Sequence, residues 1–176
     1  MGTDINAAFG HRVPFPPTES VVEGMRKGIH PVSPYLGREW RLIPNYNIGY
    51  GLAYVTEGLG VYFGPHSAII STGYRWPRPE EDVNEKESLI TAICAIAGYF
   101  ESPRVIFLPS STEPWNSVFE WVGEGFTLDQ LQQRLIGIRE PSATFQATLK
   151  LHADYYEING YVIRELDHKT APDDCK

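Results

Sequence analysis

Histidines, cysteines and a short run of hydroxyls are the side chains here best suited to proton transfer, nucleophilic attack or metal ligation. The histidines are His11, His30, His66, His152 and His168. No two have the spacing of a local metal pair, and no metal site is expected. His66 sits in Gly64-Pro65-His66-Ser67, a predicted turn between strands, and loops on a rigid scaffold often carry function. It is a candidate acid–base residue with no identifiable partner. Ser111, within Ser110-Ser111-Thr112 after an apolar strand, is the second catalytic candidate. Those hydroxyls equally suit an ordinary turn, where Ser and Thr bond to nearby backbone. His152 falls on the polar side of an alternating stretch, which reads as solvated. Cys94 lies in an apolar run and reads as a small buried hydrophobe, while Cys175 is the penultimate residue. Two cysteines so placed make no disulfide scaffold, and a reducing compartment fits.

The motifs of the common enzyme classes are missing. There is no P-loop, G-x-S-x-G elbow, H-E-x-x-H, C-x-x-C or EF-hand loop. Gly49-x-Gly51 lies in a predicted strand and lacks the third glycine of a dinucleotide fingerprint. No cofactor is expected. Glu80, Glu81, Asp82, Glu85 and Glu87 form an acidic run at a predicted helix start, where the helix dipole favours negative charge.

One segment points to recognition. Tyr74-Arg75-Trp76-Pro77-Arg78-Pro79 lies between a strand and that acidic run. Its prolines resist regular structure, and Tyr, Trp and Arg are the residues most enriched at binding hot spots. Pro114-Trp115-Asn116 reads as a second aromatic in a loop. The expected partner-binding set is therefore Tyr74, Arg75, Trp76, Arg78, Glu80, Glu81, Asp82 and Trp115. The competing reading is that these tryptophans fold back onto the core, since Trp is highly buried on average.

Charge narrows the partner. The net charge is −7, and it is uneven: residues 1–79 hold 5 acids and 7 bases, whereas residues 80–176 hold 17 acids and 8 bases. The second half would repel nucleic-acid phosphate but could attract a basic protein. No apolar stretch reaches the roughly 20 residues that span a bilayer, and the N-terminus shows no secretory pattern. A cytoplasmic protein with no membrane contact is expected.

The elements that would position these residues follow from periodicity. Asp4–Val13 reads as a strand closed by Pro14, Pro16 and Pro17. Thr18 can cap a short helix over Glu19–Lys27, with Gly28 as its stop. Residues 38–73 read as β meander. Within them, residues 46–55 alternate aromatic or large side chains with a nearly bare, glycine-rich face. Glu57-Gly58-Leu59-Gly60 suggests a hairpin turn, followed by strands over Val61–Gly64 and Ser67–Thr72. Asn84 and Glu87 have capping-box spacing ahead of a mostly apolar helix to Phe100. Arg104–Leu108 and Val118–Val122 read as strands. Thr127 and Gln130 form a second capping box, before a helix striped with Leu128, Leu131, Leu135 and Ile138. Thr144–His152 alternates as a half-buried strand, and Asn159-Gly160 is a hairpin signal between 155–158 and 161–166.

These elements predict an α+β fold. It would be a mostly antiparallel sheet of about six to eight strands with helices on one face, two main and one short and N-terminal. Residues 1–166 form one domain on this reading, and 167–176 a polar tail. In profile (compact, acidic, poor in motifs) the chain is similar to small accessory proteins, including the immunity proteins that neutralise bacterial toxins. The leading expectation is a protein-binding domain of inhibitor or immunity type, and not an enzyme. One alternative is a small enzyme or ligand-binding domain with a cleft near strand 46–55. Another is a structural subunit of a phage or bacterial assembly. A titration with mixed-sequence duplex DNA at physiological salt should give no measurable binding. Micromolar binding that falls steeply with added salt would contradict the charge argument.

Overall fold

The sequence Ile5-Asn6-Ala7-Ala8-Phe9-Gly10 has no regular apolar–polar alternation, and its first five residues are all buried in the strand β1, Ile5–Gly10. A strand buried on both faces requires cover on both sides of its sheet. That requirement organises the computed structural model, which describes residues 5–29, 40–45, 50–55, 59–72, 83–109, 113–144 and 160–167.

After β1 come α1 (Glu19–Gly28), β2 (Trp40–Asn45), β3 (Tyr50–Val55), β4 (Leu59–Phe63) and β5 (Ser67–Thr72). Next come α2 (Val83–Tyr99), β6 (Arg104–Pro109), α3 (Glu113–Gly123), α4 (Leu128–Ile138) and β7 (Val162–Glu165). The described strands form one sheet in the order β2-β3-β4-β5-β1-β6-β7, and every neighbouring pair is antiparallel. β1 pairs with β5 on one side (Ala8 opposite Ile69) and β6 on the other (Ala8 opposite Ile106). β5 and β6 are therefore parallel to each other across β1, and α2 makes the crossover that parallel strands need.

Alternation splits the core in two. Ala7, Phe9, Ile70 and Phe107 face α1 and α2, meeting Met25, Ile90, Ile93 and Ile96. Ala8, Ile69, Ile106 and Leu108 face α3 and α4, meeting Val118, Val122, Leu131 and Leu135. The molecule is α+β, as expected, but its helices cover both faces of the sheet and not one. There are four helices among the described residues, because Val118–Val122 is not a strand: it lies within α3. Trp115, Val118, Phe119 and Val122 fall at i, i+3, i+4 and i+7, a helical stripe.

Local signals met different fates. Thr127 and Gln130 form the expected capping box, with the Thr127 hydroxyl accepting from the Gln130 amide and the Gln130 side chain accepting from the Thr127 amide. Leu128, Leu131 and Leu135 are buried as the stripe requires, whereas Ile138 is exposed. Thr18 stands at the N-cap of α1, but its hydroxyl pairs with Ser20 and caps no backbone amide. α2 starts at Val83, so Asn84 is inside the first turn and is not its cap. Leu59 and Gly60, expected in a turn, are already in β4 and pair with Thr72 and Ser71. β2 is outermost among the described strands, which suits Pro44. The expected strand 144–152, the Asn159-Gly160 turn and the tail from 168 lie outside the described residues, apart from Thr144, which is not in a strand, and Gly160.

Two glycines allow the layers to approach. A Cβ on Gly64 would overlap the carbonyl oxygen of Val122, and one on Gly28 would overlap the ring of Tyr99. The first contact seats the C-terminal end of α3 against the β4–β5 turn. The second packs α2 onto α1. Gly64→Ala must displace backbone and should be clearly destabilising, whereas Gly98→Ala, inside α2 where a Cβ meets nothing within 4 Å, should be neutral or slightly stabilising. Ile96→Ala should cost about 2–5 kcal/mol from the buried core. Urea unfolding of the three variants checks this; equal stability of the two glycine variants, or an Ile96→Ala loss below about 0.5 kcal/mol, would contradict the packing.

Candidate functional site

The two ends of the central strands carry different chemistry. At the β4–β5 turn, the strand sequence ends in Gly10-His11, and His11 is buried. Its Nδ1 accepts the Val13 amide at 3.0 Å, so the ring proton resides on Nε2. Nε2–H is shared between the carbonyl oxygens of Gly64 at 3.0 Å and Ser67 at 3.1 Å. The Phe63 ring stands edge-on to the imidazole, 5.2 Å between centroids. Burial pushes the His11 pKa below its ordinary 6.5, outweighing the opposing pull of the Ser67 and Gly64 carbonyls; nearby His66 lowers it further.

This geometry bears on the catalytic candidate. His66 is exposed in the turn, and its carbonyl accepts the His11 amide at 3.3 Å. Both His11 ring nitrogens are already committed to backbone groups. A neutral His11 so held fastens β1 to the turn and has no free nitrogen with which to activate His66. The Ser67 hydroxyl donates to the Phe126 carbonyl at 2.7 Å, tying the same turn to the α3–α4 connection. Sequence patterns flagged the exposed histidine and passed over the buried one, because nothing local marks His11 as a strand-end staple.

At the opposite end, β5 finishes at Thr72 and β6 at Pro109, on either side of Ile5. The chain then goes from β5 to α2 on one face of the sheet and from β6 to α3 on the other. Ligand crevices in open sheets form where connections from parallel strands depart to opposite faces. Here an antiparallel strand lies between the two, and one of its residues is polar. Asn6 shares the α3 face with Ala8 by strand alternation, and it is 1% exposed. Its Oδ1 accepts the Thr72 amide at 3.1 Å, and the Thr72 hydroxyl donates to the Ile5 carbonyl at 2.6 Å. Its Nδ2 is buried and finds no acceptor among the described residues. Since the C-terminal turn of α3 lies against Gly64, its N-terminal turn lies toward this Asn6 end.

Trp115, expected in a loop, is on α3 near that N-terminus, half-buried, with its ring 6.3 Å from Phe119. Phe119 in turn meets Tyr62 of β4 at 5.6 Å. Tyr74, Arg75, Trp76, Arg78, Glu80, Glu81 and Asp82 lie in the segment after Thr72, and Ser111 in the segment after Pro109; all are outside the described residues. Of the bare-faced stretch 46–55, residues 50–55 are β3, bonded to β2 and β4 on both sides, and 46–49 lie outside the described residues. Cys94 is half-buried against the core, and burial raises its thiol pKa against the opposing pull of Arg164. Among the described residues no group of three or more His, Cys, Asp or Glu could hold a metal ion, and no helix is long and apolar enough to cross a membrane. No family model, curated protein or solved structure matches the chain.

The His11 arrangement sets a pH dependence. In the unfolded chain the ring titrates near 6.5; folded, its pKa is lower, so the native state favours the neutral ring. The stability it contributes is complete above about 6.5 and is lost as pH falls through the folded value. Urea midpoints for the wild type should drop between about pH 7 and 5, and His11→Gln should lack that component. Parallel pH profiles for the two proteins would contradict the assignment.

Proposed function

We propose that this chain is a protein-binding domain of the inhibitor or immunity type, docking a basic partner at the sheet end where β5 and β6 finish. The observation that supports this reading most is the topology. The aromatic–arginine–acidic segment of residues 74–82 begins two residues past Thr72. Trp115 is the third residue of α3, which follows Pro109 at the end of β6, the strand parallel to β5 on the other side of β1. Both sequence features are therefore tethered to one edge. Glu85 and Glu87 lie in the first turns of α2, and Glu113 opens α3. That supply of acids suits a partner of positive charge.

An aromatic anchor at an interface centre contributes about 2 kcal/mol or more, which is roughly thirtyfold in affinity. Acids at a rim act chiefly on the rate of encounter. The test captures basic partners from a lysate of the source cells on the purified full chain, identifies them by mass spectrometry and follows the purified pair by surface plasmon resonance. A stable complex is expected. Trp76→Ala and Trp115→Ala should speed dissociation roughly tenfold or more, and Glu81→Lys should slow association in a way that fades with salt. No complex, or kinetics unchanged in all three variants, would sink the reading.

A further inference from the structure

Three prolines leave the connection from β1 to α1 short of amides, since Pro14, Pro16 and Pro17 have no N–H. The Val13 amide donates to His11 Nδ1 at 3.0 Å, so an imidazole, and not a neighbouring strand, receives it. Val13 packs against the core on the α1–α2 face and Pro17 is buried, whereas Arg12, Pro14, Phe15 and Pro16 are exposed. The same imidazole ends an aromatic row. It stands edge-on to Phe63 at 5.2 Å, Phe63 meets Phe100 at 5.4 Å, and Phe100 stacks on Phe9 at 5.5 Å.

The bonds of this ring leave no place for a second proton. Nε2 carries the first, shared between the Gly64 and Ser67 carbonyls, and the Nδ1 lone pair is on the Val13 N–H. A proton added to Nδ1 sets two donors against each other, and that bond is lost. The new charge would also be buried without a counter-ion. His66, across the turn, opposes it, and Arg12, next in the chain, is a second cation. Glu101 just past α2, Glu124 in the α3–α4 connection and Asp129, paired with Arg104, are the charges on the other elements around it. The ring draws no pull from these acids; the two carbonyls alone favour its charged form.

We propose that His11 is an acid-operated latch: uptake of one proton from solvent onto Nδ1 releases residues 12–17 from the sheet end and uncovers Phe63, while the sheet itself stays folded. What remains is held by other bonds. β1 keeps both of its ladders. The β4–β5 turn keeps the Gly64 amide on the Ser67 carbonyl at 2.8 Å and the Ser67 hydroxyl on the Phe126 carbonyl at 2.7 Å. A segment tied by one amide and one apolar side chain opens at lower free energy than a strand covered on both faces. Once released, the ring titrates near its ordinary 6.5. The opening equilibrium therefore rises about tenfold for each pH unit below that, until the closed ring itself takes a proton.

The test is NMR of the 15N-labelled full chain between pH 7.5 and 4.5, reading the His11 ring nitrogens and the hydrogen-exchange protection of the Val13 and Ala8 amides. At neutral pH the ring should be the Nε2–H tautomer. Val13 should be less protected than Ala8 at every pH. Its protection should fall about tenfold per unit below 6.5 and be gone while Ala8 is still protected. The His11 imidazolium signal should appear together with the loss of Val13 protection. His11→Gln should remove the pH dependence at Val13. Equal protection of Val13 and Ala8 at each pH overturns the proposal, because the release is then global unfolding. Val13 protection that does not change as the ring protonates overturns it as well, because Nδ1 is then no latch. The wild-type titration decides between these outcomes even if His11→Gln fails to fold. The latch involves no protein partner, so neither its failure nor its success alters the partner-binding reading.

Discussion

Burial of β1 on both faces is the constraint on which the rest of this structure depends. Ala7 and Phe9 project to one side and Ala8 to the other, and all are fully excluded from water. Neither side can be left wet, so each needs its own helical layer. α1 and α2 supply one layer, α3 and α4 the other. The small side chains of Ala7 and Ala8 let those layers come close to the sheet centre, and Gly64 does the same for α3 at the β4–β5 turn.

The paths the chain takes at the two ends of β1 follow from that burial. With helices needed on both faces, the chain leaving β5 and the chain leaving β6 go to opposite sides. Their divergence around the start of β1 creates an edge where strand ends and helix starts meet. The other end of β1 is closed. His11 donates to two carbonyls of the β4–β5 region and accepts an amide, and the Gly10 N–H donates to the Ser102 hydroxyl oxygen at 2.9 Å. One end of the sheet is thus fastened by these bonds, and at the other the chain departs to both faces.

Much of the framework was legible because it rests on short-range rules. The Thr127/Gln130 box, the apolar helix before Phe100 and the β4–β5 strand pair around Gly64-Pro65-His66 are each fixed by a few neighbouring residues. α3 was misread because Val118–Val122 is a short apolar run, and such runs fit strand and helix alike; the stripe through Trp115 decides between them. The site was less legible still. Asn6 and His11 look unremarkable in a linear text, since their importance comes from Thr72, Gly64 and Ser67, more than fifty positions away. The recognition role expected of Trp76 rests on a compositional signal alone, and composition does not specify a partner.

The central claim is that β1 is the doubly covered axis of the sheet, and amide hydrogen exchange tests it most directly. If it holds, the amides of Ala7, Ala8 and Phe9 exchange only through global unfolding, with free energies equal to that from urea denaturation, while amides of the outer strand β2 exchange through cheaper local openings. Exchange of the β1 amides as fast as those of β2 would contradict the account.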